Sequence, residues 1–128
     1  MTEPVWLSYS AVVAVHDMMI ARFVGSEGLR DEGLLDSALA RPQNLYHHEN
    51  CRDLPRLAAA YAAGLIQNHP FGDGNKRSGF IAAYMFLDLN GATLRADEVT
   101  ATSMTRSLAA SELGELAYAQ WISESISH

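Results

Sequence analysis

Apolar residues recur every three or four positions along most of the chain, and strict alternation of apolar and polar residues is rare. This spacing predicts an all-α protein. We expect a first helix from Ser10 to about Phe23. A short second helix should begin after the capping residue Asp31 and stop at Pro42, because proline restricts the residue before it to extended conformations. A third helix should start at Asp53 and run to about residue 68.

The fourth predicted helix, from about Gly74 to Leu89, is apolar almost all round, which indicates a position at the centre of the core. Asp97 and Ser111 are the expected starts of a fifth and a sixth helix. These elements predict a single compact bundle of about six helices around a central buried helix, one domain over residues 1–128 with its core at about 7–122. The polar, aperiodic segment 42–53 indicates an exposed loop or a small hairpin.

Composition excludes several classes of protein. The 128 residues include 15 acidic and 9 basic residues, for a formal net charge of −6. Surfaces that bind nucleic acid are normally basic, so this balance argues against direct nucleic acid binding. The single cysteine, Cys51, excludes an intrachain disulfide and a cysteine zinc cluster. No apolar run approaches the ~18 residues of a membrane span, and the N-terminus lacks the basic start of a signal peptide. We therefore expect a cytoplasmic protein with no membrane partner.

Candidate chemistry concentrates between helices three and four, in the segment HPFGDGNKR over residues 69–77. Lys76 and Arg77 open helix four, although the positive end of the helix dipole favours acids there. A bound polyanion would reverse that disadvantage, and phosphates suit it best. The alternative is that both cations project into water at little cost. Gly72 and Gly74 favour an anion site, because glycine permits positive φ and close approach of a ligand.

Three other residues of this segment have two interpretations each. Asp73 could hold Mg²⁺ beside phosphates, since Mg²⁺ takes only one or two protein carboxylates, or it could cap helix four. His69 could be a general base or could simply end helix three. Phe71 is interpreted as an apolar anchor. The segment is not a Walker A loop, which needs G-x-x-x-x-G-K-[ST]. Outside it, His16 is interpreted as a core histidine.

The segment resembles the signature of the Fic/Doc (Fido) superfamily, H-P-F-x-[DE]-G-N-[GK]-R, and matches it at every position. The stretch from Gly28 to Tyr46, GLRDEGLLDSALARPQNLY, is similar to the region preceding the signature in short Doc-type (death on curing) proteins. The resemblance covers most of the chain, from about Leu7 to Ile122. It implies the helical Fido fold.

The resemblance also implies a role for each position. His69 would be the catalytic base that deprotonates a hydroxyl on a target protein, Asp73 would bind Mg²⁺, and Phe71 would be a structural anchor. The segment from Pro42 to Asp53 falls where the family places a flap that aligns the target. The phosphates of the nucleotide would be bound by Gly72, Gly74, Asn75, Lys76 and Arg77.

Two positions resemble the Doc branch and differ from the adenylylating Fic branch: Lys76, where glycine is usual, and Phe80, where a second arginine is usual. The resemblance implies a toxin that transfers the γ-phosphoryl group of Mg-ATP to a threonine of elongation factor Tu and so stops translation. It also implies a cognate antitoxin that covers the cleft, because no inhibitory [ST]-x-x-x-E-[GN] motif is present.

The residues alone leave two alternatives open. A Fic-type nucleotidyl transferase would use the same base, metal and phosphate cradle, because only the orientation of the nucleotide decides which phosphorus is attacked. A non-catalytic module that binds a nucleotide or a partner would keep the pocket without the reaction.

Overall fold

A computed structural model describes residues 2–22 and 28–128, without the side chains of residues 20–22. The described residues form six helices and one two-stranded antiparallel sheet, in which Thr93 lies opposite Ser127 and Leu94 opposite Ile126. The prediction of an all-α protein of about six helices is confirmed. In chain order the elements are α1 (Tyr9–Arg22), α2 (Glu32–Glu49), α3 (Leu54–Asn68), α4 (Asn75–Leu89), β1 (Thr93–Leu94), α5 (Glu98–Ala109), α6 (Glu115–Ser125) and β2 (Ile126–Ser127).

The central helix is α3, not α4 as predicted. Every residue of α3 from Leu57 to Ile66 is buried, and α3 packs against α2, α4 and α6. By contrast, α4 exposes Tyr84 and Leu89. Helix α3 is so rich in alanine that its neighbours approach its backbone closely on several sides. A helix such as α4, with apolar residues on all its faces, can therefore still have one face exposed to solvent.

The second helix is longer than predicted and absorbs the expected loop. It continues through Pro42 to Glu49, so the predicted stop and the hairpin in segment 42–53 are wrong. Proline inside a helix costs about 3 kcal/mol, but the Pro42 ring is fully buried together with Leu35 and Ala38. A Cβ built on Gly64 of α3 would lie 3.2 Å from the Ala38 carbonyl oxygen. The close packing of α2 on α3 therefore outweighs the local preference of proline to end a helix.

Capping residues explain most of the remaining helix boundaries. Asp31 and Asp97 accept hydrogen bonds from the backbone N–H groups three residues later, as predicted. Helix α1 begins earlier than expected, because the hydroxyl of Ser8, not of Ser10, accepts from the Ala11 N–H. Ser111 does not start α6; it adopts a left-handed φ of 61° after α5, and α6 begins four residues later. The predicted end of α1 at Phe23 lies outside the described residues.

None of the helices within residues 2–22 and 28–128 is both long and apolar enough to cross a membrane.

Candidate active site

An open cleft of about 1200 Å³ lies where α3 ends and α4 begins. The side chain of His69, at the end of α3, lines this cleft together with Asp73, Lys76 and Arg77. The cleft continues between α4 and α5 over an apolar surface that includes Phe80. The imidazole, the carboxylate and both cations, which the sequence singled out separately, therefore share one space.

The segment before α4 is held in place by a stretch of chain 40 residues earlier. The backbone N–H groups of Arg30 and Asp31 both donate to the Pro70 carbonyl oxygen, at 2.8 and 3.0 Å. The Gly72 N–H donates to the Gly28 carbonyl oxygen at 3.1 Å. Leu29 and Phe71 form an antiparallel bridge between the two strands of chain. The loop that carries the candidate chemistry is therefore fixed through its backbone, and the side chains of His69 and Asp73 are left to line the cleft.

Phe71 points away from the cleft into the core. Its ring is buried and stacks on the imidazole of His16, with ring centroids 3.6 Å apart and planes 9° from parallel. His16 is itself fully buried, and its Nδ1 lies 2.8 Å from the Ser78 hydroxyl on α4. The interpretation of His16 as a satisfied core histidine is confirmed. It links the loop before α4 to the first turn of α4.

Asn75, the first residue of α4, is also buried, and its side-chain amide is already engaged. Its Oδ1 accepts from the Phe71 N–H at 3.1 Å, and its Nδ2 donates to the Phe71 carbonyl oxygen at 3.0 Å. Nδ2 also lies 3.2 Å from Nδ1 of His69, to which its second hydrogen can be donated. Because these backbone contacts fix the amide orientation, Nδ1 of the neutral His69 ring is an acceptor and Nε2 carries the hydrogen.

His69 itself ends α3 in a left-handed conformation, with φ of 50° and ψ of 54°. Its backbone N–H bonds to the Leu65 carbonyl oxygen, which closes α3. The Arg30 guanidinium donates to the His69 carbonyl oxygen from outside. The interpretation of His69 as the end of α3 therefore holds for its backbone, and its exposed side chain lines the cleft, where a general base would have to lie.

The entry to α4 has the geometry and charge of a candidate anion site. Gly74 is its N-cap residue in the left-handed region, with φ of 78°, whereas Gly72 has no positive φ. No acidic residue occupies the first turn, and Asp73 makes no capping bond to it. The first N–H groups of any helix lack intrahelical partners and carry partial positive charge. Here Lys76 and Arg77 add two full positive charges to that helix end.

The fit to Mg²⁺ depends on Asp73. Within the described residues, no group of three or more histidine, cysteine or acidic side chains could hold a metal by protein ligands alone. Asp73 is exposed in the cleft, and one of its carboxylate oxygens accepts from the Gly74 N–H at 2.8 Å. Mg²⁺ is bound in many sites by one carboxylate, substrate phosphates and water. The donor set fits a magnesium ion that arrives with a nucleotide.

Comparison with known proteins defines the class. The sequence profile of the Fic/DOC family matches residues 6–87, and the chain belongs to this family. It is 46% identical over 78 residues to "Toxin Doc" of Mycolicibacterium smegmatis, an alignment that covers 59% of this chain and 58% of that protein. It is 33% identical over 85 residues to "Protein kinase doc" of Escherichia phage P1, which covers 66% of this chain and 68% of that protein.

Two parts of the site were missed by the sequence reasoning. The contact of Arg30 with His69 spans 39 residues, and no periodicity links two residues that far apart. The wall contributed by α5 was also missed, because its cleft-facing residues are small or polar and resemble an ordinary solvated helix face.

Proposed function

We propose that this protein is a Doc-like toxin of a toxin–antitoxin pair, and that it transfers the γ-phosphoryl group of Mg-ATP to a threonine hydroxyl of a translation factor such as elongation factor Tu. The name of the mycobacterial relative, "Toxin Doc", supports a toxin, and the name of the phage relative, "Protein kinase doc", supports a kinase. Such a target would place the protein in the cytoplasm. Its cognate antitoxin would cover the cleft.

The observation that carries this proposal is the shared cleft. An exposed imidazole faces the same space as a helix N-terminus with two cations and no acidic residue in its first turn. A triphosphate has the charge that such a helix end stabilises. A hydroxyl group entering beside His69 would then lie next to the phosphates. Neither the imidazole nor the cationic helix N-terminus would suffice alone for phosphoryl transfer.

In this reaction the target hydroxyl oxygen forms a bond to the γ-phosphorus as the bond from the γ-phosphorus to the β,γ-bridging oxygen breaks. The hydroxyl proton passes to His69, and ADP leaves. Lys76, Arg77 and the N–H groups of α4 stabilise the charge on the phosphate oxygens. Asp73 would hold Mg²⁺, which would neutralise phosphate charge when bound.

The hydrogen bond between Asn75 and His69 bears on the proton transfer. With Nδ1 accepting from Asn75, the neutral ring carries its hydrogen on Nε2. To accept a proton at Nε2, the imidazole must adopt the other tautomer, in which the Nδ1–H faces the Asn75 N–H and this bond is lost. Leaving the buried Asn75 donor unsatisfied costs about 1–3 kcal/mol, whereas a general base contributes ~10²–10⁴-fold in rate. This cost offsets part of the gain, and rotation of the exposed His69 ring would reduce it.

The experiment is label transfer with two forms of ATP. Purified protein is incubated with Mg²⁺, elongation factor Tu and either γ-labelled or α-labelled ATP. We expect label on the target from the γ position only. Label from the α position only would overturn the kinase proposal in favour of nucleotidyl transfer. Absence of label from either position, on this factor and in a whole lysate, would favour a non-catalytic module.

A further inference from the structure

The cleft extends well beyond the signature residues, along the groove between α4 and α5. Helix α5 contributes residues spaced three or four apart between positions 98 and 109, which is one face of a helix. That face begins with Glu98, has small side chains and hydroxyls in the middle, and carries Arg106 in its last turn. A cation on α5 therefore faces the same space as Lys76 and Arg77.

Most basic residues outside the cleft serve the fold. The guanidinium groups of Arg41 and Arg56 both pair with Glu115. Arg52 donates to the Tyr46 hydroxyl, and Arg95 donates through Nε to the Ser127 hydroxyl at 2.7 Å. Together with Arg30, bonded to the His69 carbonyl, these are all the arginines outside the cleft whose side chains the structure describes.

The cleft differs in this respect. Within residues 2–22 and 28–128, neither the Lys76 ammonium nor the Arg106 guanidinium has a hydrogen bond or an ion pair. Both are exposed. In a chain with a net charge of −6, cations that face one cleft and serve no contact in the fold indicate an anionic ligand that bridges them.

The chain topology brings these cations to one end of the groove. Only residues 90–97 connect α4 to α5, and a connection this short returns a helix alongside its predecessor. An antiparallel course of α5 puts its last turn, with Arg106, on the side of the first turn of α4, and both Arg106 and Arg77 line the cleft. Glu98, in the first turn of α5, belongs to the other end of that helix.

We propose that Arg106 is a further phosphate-binding residue, which binds the part of a nucleoside triphosphate chain that extends beyond the entry to α4. This inference rests on the proposed function, because it takes a nucleotide as the ligand of the cleft. It adds a specificity: the affinity contributed by Arg106 increases with the number of phosphates. The site favours triphosphates over monophosphates through a residue outside the signature.

A purely structural role for Arg106 makes a different prediction. A cation in the last turn of a helix interacts weakly and favourably with the negative end of the helix dipole. If that were its only role, replacing Arg106 would shift the melting temperature slightly and would change the affinities for ATP, ADP and AMP equally or not at all.

The test is calorimetric titration of Arg106→Ala and of the matched control Arg95→Ala with ATP, ADP and AMP in Mg²⁺. Both changes remove one exposed arginine, but Arg95 bonds to Ser127 and does not line the cleft. We expect Arg106→Ala to weaken ATP binding about tenfold, to weaken ADP binding less, and to leave AMP binding unchanged. Arg95→Ala should leave all three affinities as in the unmodified protein.

Equal affinities in Arg106→Ala and the unmodified protein would overturn the inference, as would an equal loss for all three nucleotides. If Arg106→Ala fails to fold, Arg106→Gln removes the charge and keeps most of the side chain, and the same comparison applies. Failure of the unmodified protein to bind any nucleotide would overturn the proposed function itself, which is distinct from an effect of Arg106 alone.

Discussion

Helix α3 and the segment 69–77 that follows it directly are organised in opposite ways. In α3, side chains fill the core from Leu57 to Ile66. Burial also raises the pKa of the Tyr61 hydroxyl to about 12, so the core disfavours charge. In the segment, the backbone bonds to residues 28–31 and the side chains of Pro70 and Phe71 are buried, while the charged side chains face the cleft. The same chain therefore builds an apolar support and, next to it, a short loop that is anchored in the core and exposes its charged side chains to the cleft.

This contrast predicts that the two regions respond differently to substitution. Changes in α3 or in its close contacts should alter the free energy of unfolding. Changes in the cleft-facing side chains of the segment should alter activity and leave unfolding nearly unchanged. Residues of the segment whose side chains are buried should affect both.

The largest effect is expected at His69. His69→Asn should reduce transfer of the phosphoryl group by ~10²–10⁴-fold, because the general base is lost, and should relieve growth arrest in cells. Asparagine is the suitable replacement, because it tolerates the left-handed backbone conformation that His69 adopts. The control is His128→Asn, an exposed histidine that does not line the cleft, which should retain activity. If His69→Asn retains full activity, the imidazole has no catalytic role.

The buried amide of Asn75 holds the segment in its conformation, and its loss should affect both stability and activity. Asn75→Ala removes the partners of the Phe71 N–H and carbonyl groups, which are buried. Leaving such groups unsatisfied costs about 1–3 kcal/mol, measurable by urea denaturation. Asn44→Ala, an exposed position in α2, is the control. Unchanged stability of Asn75→Ala would contradict the described role of its amide.

Gly79 tests the tight packing of α4 on α3. A Cβ at this position would lie 3.0 Å from the Ala62 carbonyl oxygen and 3.1 Å from Cγ1 of Ile66. We expect Gly79→Ala to lower the free energy of unfolding by about 1–2 kcal/mol, since overpacking outweighs the gain in helix propensity.

The matched control is Gly33→Ala, an exposed glycine in the first turn of α2. There the added methyl group meets only a side-chain oxygen of Asp31, at 3.4 Å, and the change should be neutral or stabilising. If both substitutions have the same effect on the urea midpoint, the close contact between α3 and α4 is not tight.

Substitution of Arg30 should have the smallest effect, and that effect should be confined to kcat. Arg30→Lys keeps the backbone bond to Pro70 but loses the planar guanidinium that donates to the His69 carbonyl oxygen. We expect kcat to fall several-fold, because His69 is less well oriented, with little change in the KM for ATP and in the melting temperature. A fall in melting temperature that fully accounts for the lost activity would assign Arg30 a structural role only.

Local signals in the sequence predicted much of this structure. Caps such as Asp31 and Asp97 act within three residues, and the signature is a contiguous segment, so both could be read directly. The position of Pro42 inside α2 could not be predicted from the sequence, because it depends on packing against α3. The contact of Arg30 with the His69 carbonyl oxygen could not be predicted either, since the two residues are distant in sequence. The site residues that form a wall of the cleft from α5 have no local pattern that distinguishes them from a solvated surface.

The mass added to elongation factor Tu tests the proposed reaction most directly. The factor is incubated with Mg-ATP and either the unmodified protein or His69→Asn, and the intact mass and the modified residue are determined by mass spectrometry. We predict the mass of one phosphoryl group, on a threonine, with the unmodified protein and no addition with His69→Asn. The mass of a nucleotidyl group, or an undiminished phosphoryl addition with His69→Asn, would contradict a cleft in which the imidazole takes the proton while the entry to α4 holds the phosphates.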